Sequence, residues 1–235
     1  MMNILEVKNL EKIYRDKKQE RGIFNLNFEV KKGSFHAFIG ENGAGKTTTI
    51  KSIISAYSNY DGSIIINGID NKNPLAKAKL GYVPEYANFA KELTTYQYLY
   101  NLALLNGLSK KEAKAKIEQL LEKFDITDLK NSHPYSFSSG QKKKVLLIQA
   151  LVNEPELLIL DEPAANLDPT ARYQLFQILK ELNKQGTTIF ISSHVLSEID
   201  QYVDSFTLIH KGKIIASGKK EESLEKVFYE KVIKK

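Results

Sequence analysis

Residues 40 to 48 read Gly-Glu-Asn-Gly-Ala-Gly-Lys-Thr-Thr. The spacing is G-x-x-x-x-G-K-[ST], and each residue type in it has a task. Glycines let the backbone wrap a run of phosphates with its N–H groups turned inward. Lys46 reaches the β- and γ-phosphates of a nucleotide, and the Thr47 hydroxyl is a ligand for Mg2+. Gly40, Glu41, Asn42, Gly43, Ala44, Gly45, Lys46, Thr47 and Thr48 are therefore the candidate ATP cradle. A glycine-rich turn with no such role is the alternative. Context argues against it: "SFHAFIG" before the loop reads as a strand and "TTTIKSIISAY" after it as a helix. That placement turns the positive end of a helix toward the phosphates.

Two further candidates end apolar runs. Asp161 and Glu162 close "ELLILDEP", which reads as a buried strand. Ligands gather at the carboxyl ends of parallel strands, so this puts both carboxylates beside the phosphate loop. Asp161 then serves Mg2+ through water, and Glu162 polarises an attacking water as general base. Away from a phosphate loop, such a pair would read as a helix cap or surface charge. His194 ends "TTIFISSH" at the same sheet edge, close to where a γ-phosphate would lie. His36, His133 and His210 read as ordinary core or surface histidines.

These residues need elements to hold them. Short apolar strands alternate with helices, which implies an α/β fold with a largely parallel sheet covered on both faces. "GSIIINGIDN" turns at Asn67-Gly68 and predicts a small antiparallel β patch. From about residue 85 to 145 the pattern is helical, with a capping box at Ser109 and Glu112 and an apolar face of Ala113, Ile117, Leu120, Leu121 and Phe124. This is an inserted helical subdomain; about 1–84 and 146–235 form the ATP-binding core of a single domain over 1–235. Asp168-Pro169 predicts the start of a helix that stops at Gly186, and residues 205–219 a hairpin turning at Lys211-Gly212.

Composition sets outer limits. The chain has 235 residues, 42% hydrophobic and 26% charged, in the range of one globular domain. It has no cysteine, which excludes disulfides and thiolate metal sites. No apolar run approaches the ~20 residues of a membrane helix, and the first residues do not read as a secretory signal. The net charge is +6, but lysines are spread along the chain and arginine stands only at 15, 21 and 172. The reading is a solvated lysine-rich surface, with no nucleic acid expected as partner.

One stretch is left over. "SFSSGQKKK", at 136–144, is small and donor-rich like an anion cradle, yet has no lysine placed as in the loop at 40–48. Together these residues resemble the nucleotide-binding subunit of ABC transporters, over essentially the whole chain. The resemblance implies a P-loop NTPase (RecA-like) core and assigns the leftover stretch: Phe137, Ser138, Ser139, Gly140 and Gln141 fill the places of the signature L-S-G-G-Q. It further implies that two subunits meet head to tail, the signature of one closing over the γ-phosphate on the P-loop of the other. Tyr14 takes the place of the aromatic that stacks on adenine. Asp168, in "NLDP", takes that of the loop crossing the dimer interface.

Two positions depart from the family pattern. Glu85, in "YVPEYANF", stands where glutamine is commonest; a carboxylate is still a hard oxygen ligand for Mg2+, and Pro-Glu resembles export-type members. Ser139 replaces a glycine, which weakens the contact if the backbone there needs a positive φ. The implied cofactors are ATP and Mg2+. The implied partners are a separate multi-span membrane subunit and a second ATP-binding subunit, identical or different. The implied place is the cytoplasmic face of a membrane, peripherally through that subunit. Among the aromatics, Tyr86 and Phe89 are the favoured contacts for the partner, while Tyr96, Tyr98 and Tyr100 read as core. Residues 93–124 and the tail "IASGKKEESLEKVF" resemble drug, antibiotic and lipid exporters. A soluble ABC ATPase in a cytosolic assembly is the alternative; a non-hydrolysing ATP-binding regulator fits less well with Glu162 and His194 intact.

Overall fold

The computed structural model describes residues 2–16 and 19–234. Two sheets form the core. The first is antiparallel, in the order β2-β1-β4-β5, built from β1 (Asn3–Asp16), β2 (Gln19–Lys31), β4 (Asp61–Ile66) and β5 (Ile69–Asp70). The second contains β3 (Phe35–Ile39), β6 (Leu80–Val83), β7 (Leu157–Leu160), β8 (Thr188–Ser193), β9 (Ser205–His210) and β10 (Lys213–Lys219). Its order is β10-β9-β3-β8-β7-β6, and every pair is parallel except β9 with the edge strand β10.

The antiparallel part is larger than the expected patch. β1 runs 14 residues and β2 13, and their pairing shifts register near Asn9 and Asn25, both at positive φ. Those bulges break the two-residue alternation that marks a strand in sequence. Between the sheets, Phe28 stacks on Phe38 at 5.4 Å and Phe38 meets Phe190 at the same separation. Each such ring contributes about 2–3 kcal/mol by leaving water.

Helix α1 (Lys46–Ile53) follows β3 directly and buries Ile50 and Ile53 in this layer. Gly45 caps it at φ 113°, where a Cβ would come within 2.6 Å of Ile23 Cγ2, so only glycine fits. The helical region contains α2 (Thr95–Leu105), α3 (Lys110–Lys123) and α4 (Ser139–Leu151). Each opens on a capping box, Thr94 with Gln97, Ser109 with Glu112 and Ser138 with Gln141. The expected face of α3 is buried at Ala113, Ile117, Leu120, Leu121 and Phe124.

α4 runs through residues 145 and 146, and its second half lies on β6. A Cβ on Gly81 would stand 2.7 Å from the Ala150 carbonyl. α5 (Pro169–Lys184) starts on Asp168 as expected, while α6 (Leu196–Ile199) is a single turn and α7 is Leu224–Phe228. No helix among the described residues is long and apolar enough to cross a membrane.

Candidate functional site

The parallel strands deliver their carboxyl ends to one edge. The loop 40–45 follows β3, Glu85 follows β6, Asp161 and Glu162 follow β7, and His194 follows β8. All of these but Asp161 border a cleft of about 430 Å3 lined by Asn42, Gly43, Gly45, Lys46, Thr47, Thr48, Glu85, Tyr86, Glu162 and His194. Chain-distant residues converge there for the reason parallel sheets always gather their sites: every strand points its C-terminal loop the same way.

Lys46 is buried, its ammonium donating to the carbonyls of Gly40 at 2.7 Å and Glu41 at 3.1 Å. Glu162 Oε1 is 3.1 Å from the same nitrogen, and Glu162 Oε2 is 2.9 Å from His194 Nδ1. The Lys46 contact is off-axis, so Oε1 has no aligned donor among the described residues. An acceptor in this state can take a proton from water. Glu162 itself sits at φ 43°, a left-handed backbone that turns its side chain into the cleft and stores strain at a working position.

Ser192 joins the Asp161 carboxylate to the main chain of Glu162. Its hydroxyl donates to Asp161 Oδ1 at 2.7 Å and accepts from the Glu162 N–H at 2.9 Å. Sequence reading passed over it, since a serine inside an apolar strand has no spacing signal. Burial pushes the Asp161 carboxyl up, hydrogen bonds from Ser192 and Thr47 pull it back, and the charges of Glu162 and Glu85 push it up again. Asp161, Thr47 and Glu85 are hard oxygen donors in one corner, which suits Mg2+. No cluster of three or more acidic, histidine or cysteine ligands occurs among the described residues. Mg2+ commonly takes only one or two carboxylates, its remaining places going to phosphate and water, so the donor set fits.

Tyr14 lies on β1, outside the walls of the cleft, with its hydroxyl beside the Thr48 side chain. The ring is 42% exposed, with the Lys12 ammonium 5.4 Å from its centre. His210, read as bland, has Nδ1 3.0 Å from the Glu41 carboxylate of the phosphate loop. His36 and His133 are bland as expected: His133 is exposed, and His36 is buried between Ser205 and Thr207.

The candidate signature residues lie elsewhere. Ser138, Gly140 and Gln141 share a second hollow, of about 220 Å3, with Leu167, Asp168 and Ala171. No residue of the loop 40–48 lines it. Ser138 caps α4, its hydroxyl accepting from Gln141 N–H at 3.3 Å while Gln141 Oε1 accepts from Ser138 N–H at 3.1 Å. Ser139 is the first residue of α4 and is not at positive φ, so serine costs nothing there. Asp168 accepts from Ala171 N–H at 3.0 Å. Tyr86 is 71% exposed, but Phe89 is buried edge-on against Tyr98 at 5.1 Å. Phe89 is thus core, correcting its reading as a partner contact; its apolar ring gains more by packing under α2 than by facing solvent.

Comparison with known proteins agrees with this geometry. The ABC transporter family model matches residues 23–165. A Mycoplasma pneumoniae chain, provisionally assigned as an ABC transporter ATP-binding protein, is 50% identical over 217 residues, 92% of this chain and 67% of that one. The linearmycin resistance ATP-binding protein LnrL of Bacillus subtilis is 34% identical over 221 residues, 93% of this chain and 70% of that one. Among solved structures, the ATP-binding subunit of an ABC transporter superposes with a TM-score of 0.85 at 34% identity, covering 97% of this chain and 98% of that one. A P-loop cleft, a separate signature and these matches together make the chain an ATP-binding protein of the ABC transporter family.

Proposed function

We propose that this chain hydrolyses ATP as the energy subunit of an export transporter, acting in a head-to-tail pair of such subunits. One observation carries the reading: the cleft and the hollow at Ser138, Gly140 and Gln141 are separate on one chain, as two half-sites would be. The cleft supplies Lys46, Thr47 and the acidic residues, and the signature supplies Ser138 and the helix end of α4. Two copies facing each other would complete both sites, with Asp168 at the seam. The second subunit is either another copy or a related chain.

In this mechanism the loop 40–48 holds the phosphates and Tyr14 stacks on adenine. Phosphate competes with the Gly40 and Glu41 carbonyls, and with Glu162, for the Lys46 ammonium. Glu162 then polarises the attacking water through Oε1, while His194 steadies Oε2. Thr47, Asp161 and Glu85 would hold Mg2+, which when bound supplies positive charge against the phosphates. From the partner, Ser138 and the Gly140 N–H complete the γ-phosphate cage, so the pair closes on ATP and opens after hydrolysis.

Exposed Tyr86, beside Glu85, is the favoured contact for a membrane subunit. Through that multi-span partner the chain would sit peripherally at the cytoplasmic face. The resistance role in the name of LnrL supports export. The test is a co-purification of tagged Glu162→Gln with ATP from membranes in mild detergent. A stoichiometric multi-span protein supports the transporter reading. A water-soluble partner with nothing from the membrane would move the function to a cytosolic assembly.

A further inference from the structure

Lys143 is a lysine on the inside. It lies on α4, two residues beyond Gln141, and is 6% exposed. Its ammonium donates to the backbone carbonyls of Pro84 and Glu85, each at 3.1 Å. Burial pushes its pKa down to about 8, against the pull of the Glu85 and Asp161 carboxylates. The Tyr82 hydroxyl reports the same corner from β6: burial first, then Asp161 and Glu85, push it up to about 12. A buried ammonium is costly to desolvate and is kept only where partners compensate it.

The position of α4 makes this contact more than local. Its second half is held on the core by the close approach of Gly81 to Ala150, and Tyr98 of α2 donates to Gln149 at 2.6 Å. Its first residues carry Ser138 to Gln141. Lys143 stands between the two, reaching across to the loop that carries Glu85. On one side it holds main-chain carbonyls of that loop, while the Glu85 carboxylate, a charge that glutamine would not bring, lies beyond ion-pair distance and acts on it through space. On the other it shares a helix with the signature.

We propose that Lys143 is a positioning residue: it offsets the Glu85 carboxylate beside Asp161 and ties the loop after β6 to the helix bearing the signature. Lys143 and Glu85 are then a matched couple, and the loop of one nucleotide site is fastened to the signature offered to the other. The second clause rests on the function proposed above; the couple itself does not. The competing explanation is an ordinary buried lysine whose loss merely loosens α4.

The test uses Lys143→Gln, Lys143→Met, Glu85→Gln and the double variant Lys143→Gln/Glu85→Gln in the full chain. Without nucleotide, Lys143→Met should speed amide hydrogen exchange in residues 84–90 at least ten-fold. Lys143→Gln should lower the thermal midpoint, and adding Glu85→Gln should return at least half of the loss. With Mg-ATP, Lys143→Gln should cut kcat at least ten-fold while KM changes less than three-fold, and the double variant should recover at least five-fold of that. Additive losses in the double variant, or unchanged exchange in 84–90, overturn the proposal. A parent chain that fails to bind or hydrolyse ATP would sink the function proposed above, while the exchange and thermal results would still decide for or against the couple.

Discussion

Glu162 and Lys46 form a buried pair, Oε1 to Nζ 3.1 Å, at the mouth of the phosphate loop. The candidate base and the lysine of the candidate phosphate loop are therefore in contact. A γ-phosphate that draws Lys46 toward itself loosens the hold on Glu162. In the proposed function, substrate arrival and release of the base would be one event.

Glu162→Gln removes the base but keeps the shape. It should bind ATP and lose turnover by at least 100-fold, in the range of a general base, and should accumulate as a dimer. Light scattering on a sizing column with saturating Mg-ATP checks it. A monomer there would break either the head-to-tail reading or the role of Glu162.

Gly140 has little room: a Cβ there would lie 3.1 Å from the Ala171 Cβ. Gly140→Asp adds bulk and a negative charge to the surface meant for a partner's γ-phosphate. Nucleotide affinity of the single chain should stay within about three-fold, while turnover falls below detection. Fluorescent-nucleotide titration and phosphate release separate the two. Lost affinity would mean that the signature serves its own chain's cleft.

The Asp161 carboxyl is pushed up from its ordinary value, chiefly by burial. Its ionised form is thus a strain on the fold at neutral pH. Replacing it by the neutral amide, Asp161→Asn, keeps an oxygen that could still accept from Ser192. The variant should raise the thermal midpoint measured without nucleotide, by about 2–4 °C for each kcal/mol recovered in a chain this size. It should also abolish the additional stabilisation given by Mg2+ with ATP over ATP alone. Calorimetry in the three conditions is the check.

His36 is buried and stacked on Phe190 at 5.7 Å, and burial pushes its pKa down to about 3. The sign follows from linkage. The unfolded chain takes up a proton near pH 6.5 and the folded chain does not, so stability is full above that pH. As pH falls from about 6.5 toward 3, this group removes up to about 1.4 kcal/mol per pH unit. His36→Gln should be less stable at neutral pH but show a flatter acid limb. Urea midpoints across that range measure it.

Much of the site was legible because its chemistry is written in short spacings. Gly40 to Thr48, Asp161 with Glu162, and His194 each sit at a strand end, and strand ends are readable from apolar runs and turns. Helix starts at Ser109 and Asp168 were legible for the same reason, since capping acts within three residues. Phe89 misled because its place beside the Glu85 loop said nothing of Tyr98, the ring it packs on. β1 and β2 escaped because bulges at Asn9 and Asn25 disturb the alternation.

By itself, then, the amino-acid sequence determined which residues are candidates to carry the chemistry, the alternation that makes the sheet parallel, and hence that those residues share an edge. Only the tertiary structure decided which of them touch. It brought Lys46 to Glu162, set Ser192 between the Asp161 carboxylate and the Glu162 N–H, placed His210 against Glu41, and buried Lys143 of α4 against the carbonyls of Pro84 and Glu85. The reason is the range of the interaction. A loop or a cap is specified by residues a few positions apart, whereas a buried charge is specified by partners that chain folding gathers from 30 to 170 positions away.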